Sequence, residues 1–225
     1  KNRSNFKEMK KAVVVYSGGM DSFTLLNYVI SKGYEVSALS FNYGQRHNKE
    51  LEIASHFCTK EYINHQIIDI SNIKTLLKGS ALTDKISIPH GHYQDKKMEV
   101  TVVPNRNMIF LSLAIAYAIS LNINKIYLGV HSGDYEIYYD CRPNFITKIN
   151  EISKLIHKEL VKVEVPFIDL DKEKILSKGI ELGLDYSLTW SCYEGGDKSC
   201  GKCGACVERL EAFKNNSKQD PLEYQ

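Results

Sequence analysis

Cys192, Cys200, Cys203 and Cys206 place four thiols within fifteen residues, threaded with Gly195, Gly196, Gly201 and Gly204. Glycine permits the tight turns that aim several sulfurs at one point. A four-thiolate set is that of a tetrahedral structural zinc site, closed to substrate because no coordination position is left. The alternatives are free or disulfide-paired thiols and an iron–sulfur cluster, which thiolate softness does not separate from zinc. Lys198, Lys202 and Arg209 lie close enough in sequence to offset the negative charge of such a centre. The second group is Tyr16-Ser17-Gly18-Gly19-Met20-Asp21-Ser22, directly behind Ala12-Val13-Val14-Val15. A Ser-Gly-Gly turn lets a ligand approach the backbone, and a helix opening there points N–H groups outward at its positive end. The spacing predicts an anion site; the plainer alternative is a strand-to-helix connection capped by Asp or Ser. Neither G-x-x-x-x-G-K-[ST] nor G-x-G-x-x-G occurs in the chain, which excludes the two commoner phosphate fingerprints.

These residues need a scaffold that brings distant loops together. Apolar segments at Ala12 to Tyr16, Val36 to Phe41, Gln66 to Ile70, Lys125 to Val130 and Val163 to Ile168 read as strands. Helices are predicted at Phe23 to Ser31, Asn48 to Thr59, Asn107 to Leu121, Asn144 to Leu160 and Lys172 to Leu182, the fourth with Phe145, Ile149, Ile152 and Ile156 on one face. The alternation predicts an α/β fold: an open parallel sheet with helices on both faces and ligands at the carboxyl ends of the strands. Residues 1–185 would form this domain, and residues 186–225 a small zinc-binding appendage packed on it. Between Ile70 and Val103 the pattern breaks in an excursion, with the polar tract Tyr93 to Glu99, of the kind that is usually functional or disordered. His90 and His92 within it lack partners at metal-ligand spacing and read as solvated. Cys58 reads as a small buried hydrophobe. Cys141, between Asp140 and Arg142, is a candidate thiol for which no activating base is identifiable.

A chain of 225 residues with 43% hydrophobic and 25% charged residues is an ordinary globular protein, and a net charge of +2 does not call for a nucleic-acid partner. The most apolar run, Met108 to Ile119, is too short to span a bilayer and reads as a buried helix, in the core or at an interface. Lys1 to Glu8 lacks the apolar centre of a secretory signal; the expectation is that some of these residues are a processing remnant and that Met9 is an internal start. Clustered thiols suit a reducing compartment, so the expected address is cytoplasmic.

S-G-G-x-D-S after a hydrophobic strand resembles the PP-loop of the ATP pyrophosphatases, which split ATP into AMP and pyrophosphate. Five further segments follow in order: Asn42-Tyr43-Gly44-Gln45-Arg46-His47, Val103-Pro104-Asn105-Arg106-Asn107, Gly129 to Asp134, Asp140-Cys141-Arg142-Pro143 and Ser191-Cys192-Tyr193. With the four cysteines, nearly the whole chain resembles the 7-cyano-7-deazaguanine synthase (QueC) family of queuosine biosynthesis. The resemblance implies an adenine nucleotide alpha hydrolase-like fold and a ligase that converts 7-carboxy-7-deazaguanine, ammonia and ATP into the nitrile through adenylated acid and amide intermediates, releasing AMP and pyrophosphate. It also implies Mg2+, one structural Zn2+ per chain and a homodimer.

On that reading Tyr16 to Thr24 (Tyr16, Ser17, Gly18, Gly19, Met20, Asp21, Ser22, Phe23, Thr24) hold the nucleotide, with Asp21 ordering the loop or a metal. Asp21, Ser22, Arg46, Arg106 and Asp134 serve catalysis. Arg46, His47, Arg106, Asp134, Asp140 and Arg142 serve the substrate, because guanidinium forks match phosphate and carboxylate groups. His47 either handles a proton or caps the next helix. Tyr135, Tyr138 and Tyr139 offer aromatic walls for a flat base. Two positions depart from the family pattern. Asn105 stands where Gly is common, and Asn tolerates positive φ; Tyr139 stands where Pro is common. Rival readings are another PP-loop enzyme, such as a tRNA thiolase or an amidotransferase synthetase, and a non-catalytic zinc ribbon that binds nucleic acid.

Overall fold

The computed structural model describes residues 9–92 and 96–225; the expectations for Lys1 to Glu8, and for Tyr93 within the polar tract, lie outside the described residues. Strands β1 (Lys10–Val15), β2 (Tyr34–Asn42), β3 (Asn64–Asp69), β4 (Lys125–Tyr127) and β5 (Lys162–Glu164) form one parallel sheet in the order β3-β2-β1-β4-β5. The chain moves outward from β1 to β3, then crosses back to lay β4 on the other side of β1. That reversal opens a crevice at the carboxyl ends of β1 and β4, where ligands of open parallel sheets bind.

Helices α1 (Met20–Ser31), α2 (Lys49–Lys60), α5 (Lys172–Glu181) and α6 (Gly204–Asn215) share one face of the sheet, while α3 (Arg106–Ser120) and α4 (Pro143–Ile156) cover the other. Alternation along β1 feeds both cores: Ala12 and Val14 pack with Phe23 and Leu26, and Val13 packs with Leu111 and Ile126, all buried. Each such large side chain contributes roughly 1.5–3 kcal/mol on burial. Lys96–Ser120 has the length and apolarity of a membrane span. It is a 3-10 turn, Lys96–Thr101, followed by α3, whose Leu111, Ala114 and Ala118 are fully buried. α3 is therefore a core helix.

β4 and β5 end sooner than their apolar runs. After Tyr127 one more ladder bond forms, Leu128 N–H to the Glu164 carbonyl at 3.1 Å, and the chain turns away at Gly129. A Cβ at Gly129 would meet the Ser22 backbone at 3.6 Å, so the two loops lie back to back. Pro166 follows β5 and has no N–H to extend a ladder.

The predicted face of α4 needs correction. Ile146, Ile149 and Ser153 are its buried residues, while Ile152 and Ile156 are 44% and 55% exposed. β5 is an edge strand whose backbone must be satisfied. The Asn150 side-chain amide both donates to and accepts from Val163, at 3.0 and 2.8 Å, and the Ser153 hydroxyl donates to the Val161 carbonyl at 2.6 Å. Polar residues hold the inward stripe because they pair with the strand edge.

The excursion after Ile70 is packed. Ser80, Ala81 and Thr83 are buried, Ala81 N–H bonds the Val100 carbonyl at 2.7 Å, and Ile88 joins Trp190 and the four cysteines in a separate apolar cluster. His90 and His92 take no part in the thiol cluster; His92 Nε2 lies 3.0 Å from Glu211 and His90 Nε2 3.7 Å from Glu194. α6 is an element the sequence reading did not predict.

Candidate active site

The Ser17–Ser22 turn leaves β1 at the crevice, and α1 begins at Met20 with Gly19 as its N-cap. The first intrahelical bond is Phe23 N–H to the Gly19 carbonyl at 2.9 Å, so the N–H groups of Met20, Asp21 and Ser22 precede it. Ser22 Oγ lies 3.0 Å from Ser17 Oγ and accepts from Ser17 N–H at 3.2 Å, which closes the loop into a ring. Ser17, Gly19, Met20, Asp21 and Ser22 line a cavity of about 260 Å³. Gly18, Phe23 and Thr24 do not. Phe23 is core against Phe57 and Tyr186, and the Thr24 hydroxyl meets the Tyr186 hydroxyl at 2.7 Å.

Gly18 has φ +92°, and a Cβ there would sit 2.3 Å from the Glu50 carbonyl oxygen. Its carbonyl accepts from Trp190 N–H at 3.0 Å, so the C-terminal segment forms part of the loop's support. Gly18→Ala is expected to destabilise the fold by about 3 kcal/mol or more, from backbone strain plus the clash. Urea denaturation checks this, and a loss below about 1 kcal/mol would contradict the geometry.

Beside the loop lies a chain of charges. Asp21 Oδ2 is 3.3 Å from Lys172 Nζ and 3.6 Å from His131 Nε2; Lys172 Nζ is also 3.2 Å from Glu208 Oε2, and His131 Nε2 is 3.6 Å from Asp134. Burial opposes ionisation of Asp21, but Lys172 and then His131 outweigh it and hold the carboxyl well below its usual range. Burial likewise opposes the charge on Lys172, yet Asp21 and Glu208 push its pKa up. Asp21 Oδ1 is buried without a hydrogen-bond partner, which leaves one carboxylate oxygen for a cation or a ligand. Lys172 and Glu208 come from α5 and α6, far from the loop in sequence, and no short motif marks them.

Across the cavity stand Arg106, at the start of α3, and Tyr138. Arg106 lies 5.7 Å from the Tyr138 ring centre, and Phe110 stacks on Phe41 at 4.2 Å behind them. Asn105 adopts φ +57°, the left-handed conformation expected of a residue in a Gly position. Arg46 reaches the cavity rim, but its guanidinium donates to the Ile86 carbonyl at 2.7 Å. His47 also lines the cavity and does not cap α2, whose N-cap is Asn48; burial pushes its pKa down. Glu50, missed in the sequence, lines the same wall, and burial raises its pKa to about 8.

Asp134 reaches the cavity; Asp140 and Arg142 do not. Asp140 accepts from Asn107 N–H at 3.0 Å at the start of α3, and Arg142 donates twice to the Tyr135 carbonyl, at 2.9 and 2.7 Å, while stacking on exposed Tyr139. Both brace the loop that carries Tyr138. Of the three tyrosines only Tyr138 is an aromatic wall; the Tyr135 hydroxyl donates to the Ile168 carbonyl. Cys141 is buried, its thiol pKa pushed up by burial, which opposes a nucleophilic role. Cys58 is buried in the core as expected.

The Sγ atoms of Cys192, Cys200, Cys203 and Cys206 are all buried and lie within 4.8 Å of one another. A tetrahedral metal with thiolates at about 2.3 Å needs sulfurs about 3.8 Å apart, so the cluster fits a metal ion. Two of the three cations nearest in sequence are engaged elsewhere. Arg209 is committed to Asp220 at 2.6 and 2.9 Å, and Lys198 to Glu223 at 2.9 Å. Backbone donors reach the sulfurs directly: Cys200 N–H to Cys192 Sγ at 3.3 Å, and Lys202 and Cys203 N–H to Cys200 Sγ at 3.4 and 3.3 Å.

Solved structures share this fold at low sequence identity. NMN synthetase from Francisella tularensis superposes with a TM-score of 0.53 at 14% identity, over 96% of this chain and 80% of that one. A 4-thiouridine synthetase bound to RNA and ATP gives 0.53 at 17% identity, over 90% and 50%. The fold is adenine nucleotide alpha hydrolase-like. In sequence, the 7-cyano-7-deazaguanine synthase of Pseudoalteromonas atlantica is 56% identical over 96% of this chain and all of its own length. The enzyme named 7-cyano-7-deazaguanine synthase 1 in Colwellia psychrerythraea is 57% identical over 96% and 99%. The family described as "Queuosine biosynthesis protein QueC" matches residues 11–217, which span the phosphate loop, the charge chain and all four cysteines. The chain belongs to the QueC family.

Proposed function

We propose that this chain is an ATP-dependent ligase that makes 7-cyano-7-deazaguanine from 7-carboxy-7-deazaguanine and ammonia, releasing AMP and pyrophosphate. The observation that carries the reading is one cavity with an anion loop and Asp21 at one end and Arg106 with an aromatic wall at the other. The loop N–H groups and Lys172 hold the pyrophosphoryl end of ATP, while Arg106, whose guanidinium matches a carboxylate, presents the substrate acid to the α-phosphorus. Attack by the acid oxygen expels pyrophosphate and leaves an acyl adenylate; ammonia then displaces AMP to give the amide. A second ATP activates the amide oxygen in the same way, and loss of AMP with the remaining N–H protons gives the nitrile. Asp21, through its unpaired Oδ1, fits Mg2+, which when bound supplies positive charge to the phosphates. Tyr138 and Phe110 exclude water from the acyl adenylate. The roles of Ser22, Arg46, His47 and Asp134 at the cavity rim belong to this proposal; Asp140 and Arg142 act by shaping the substrate loop.

Residues 186–225 form the metal-bearing unit, and we assign Zn2+ to the four thiolates. Exposed Ile152, Leu155 and Ile156 on the outer face of α4 support a homodimer, and the free buried thiols support a cytoplasmic address. The test is mass spectrometry of products from the purified chain with the acid, ammonium, ATP and Mg2+. The nitrile with AMP and pyrophosphate is expected; ADP as the nucleotide product, or no nitrile, overturns the proposal.

Glu50 gives a pH signature. A carboxylate beside a phosphate loop would repel ATP, but burial raises the Glu50 pKa to about 8, which keeps the group largely uncharged at pH 7. Its folded pKa lies above the ordinary 4.5, so its favourable contribution is complete below pH 4.5 and is lost as pH rises through about 8. Affinity for a non-hydrolysable ATP analogue should therefore fall by up to about tenfold per pH unit above pH 8 in the wild type. It should stay level in Glu50→Gln. Parallel profiles for the two proteins by calorimetry would contradict this role.

A further inference from the structure

α6 opens inside the thiolate cluster. Cys203 is its N-cap and Cys206 lies in its first turn, so two of the four sulfurs belong to the start of this helix. Glu208 comes half a turn later and reaches away from the cluster, its Oε2 3.2 Å from Lys172 Nζ. On its other side that ammonium lies 3.3 Å from Asp21 Oδ2. The side chains of Asp21, Lys172 and Glu208 are 24%, 14% and 17% exposed, so this bridge is largely shielded from water. Neighbouring Arg209, buried and clamped to Asp220, Thr189 and the Tyr186 carbonyl, fixes the rotation of α6 about its axis. Glu208 does not line the cavity, whereas Asp21 and Lys172 do. Its direct link to the cavity is the ion pair with Lys172.

We infer that Glu208 is a positioning residue that couples metal loading of the thiolate cluster to phosphate binding at the Ser17–Ser22 loop. The inference rests on the ATP-site reading given above. A lysine ammonium on a flexible stem loses much freedom when fixed, and carboxylates on opposite sides hold it in one place. With the metal bound, the first turn of α6 is ordered and Glu208 keeps Lys172 at Asp21, in place for phosphate. With the metal lost, that turn loses its two anchors, Glu208 drifts, and the ammonium loses one of the two carboxylates that bracket it. Linkage requires the reverse effect in equal measure: phosphate bound at the loop holds Lys172, hence Glu208, hence the start of α6, and so tightens the metal.

The experiment uses the full-length, zinc-loaded chain with Mg2+ and α,β-methylene-ATP. Zinc transfer to a chromogenic chelator is measured at equilibrium with and without the analogue, and analogue affinity is measured by calorimetry. In the wild type the analogue should lower zinc transfer about fivefold or more. Glu208→Gln should keep one zinc per chain, bind the analogue about tenfold more weakly and lose most of the protection of its zinc. Lys172→Gln, which breaks the bridge from α5, should lose most of the protection too. Absence of protection in the wild type overturns the inference without recourse to any variant. Wild-type affinity and full protection in Glu208→Gln overturn it as well, since the contact between Trp190 and Gly18 would then carry the coupling. A wild-type chain that fails to bind the analogue overturns the ATP-site reading and this inference together; a failure confined to the variant overturns the inference alone.

Discussion

Asp21→Ala should lower the rate of pyrophosphate release by about 10²- to 10³-fold, the scale seen when a preorganised electrostatic group is removed from a reaction centre. The side chain is engaged twice through Oδ2, with Lys172 and His131, and leaves Oδ1 buried and unpaired. Removing it takes away the oxygen available to a cation and leaves Lys172 and His131 without their shared carboxylate. Phosphate could still be attracted, so the loss should fall on kcat more than on ATP affinity. The same carboxyl sets a pH limit. Its folded pKa is depressed below 3.8, so the stability it contributes is present above that value and is lost as pH falls through the folded pKa. The variant should therefore be less sensitive to acid than the wild type. Pyrophosphate assays with metal analysis decide the matter: full turnover, or loss of zinc with the activity, would refute the assigned role.

Removal of the metal should have the larger effect on structure. Four-thiolate sites contribute on the order of 10 kcal/mol to small zinc domains, comparable to the whole stability of many proteins. Cys203→Ser or strong chelation should therefore unfold the segment around Cys192 to Cys206, and with it the start of α6. The consequence should not stop there. Ser191, Tyr193 and Ala205 line the cavity, and Trp190 holds the Gly18 carbonyl. Hydrogen exchange should rise at residues 17–22 as well as at residues 190–215, while β2 and β3 stay protected. Exchange confined to the C-terminal segment would show that the phosphate loop stands without it.

The valine-rich strands and the glycine turn were legible because burial and backbone freedom write directly into residue type. Five strands and five helices follow from those patterns, with ends displaced where the sheet meets a loop or a proline. α6 escaped notice because its inward stripe reads Ala205, Arg209, Ala212 and Phe213, with a charged residue where an apolar one would be expected. Arg209 is buried only because Asp220 neutralises it, a pairing that spacing does not announce. The same holds for α4, whose inward stripe contains Asn150 and Ser153 because an edge strand needs partners. At the site, the loop, Arg106 and the cysteines carry local signatures. Glu50, Lys172 and Glu208 do not: each is an ordinary charged residue on a helix, and only the tertiary arrangement brings them beside the loop. Asp140 and Arg142 err in the opposite direction, standing in a conspicuous segment yet spending their hydrogen bonds on the loop itself.

The bond from Trp190 to the Gly18 carbonyl also orders events in time. A ribosome adding about 5–20 residues per second delivers the glycine turn roughly 10–30 s before the tryptophan that completes it. During that interval β1 can already pair with β2, since their contact is local, but the nascent chain holds an unfinished nucleotide loop. Competence to bind ATP thus arrives only when the Trp190 segment has been made, at the point when the thiols that take up the metal emerge beside it.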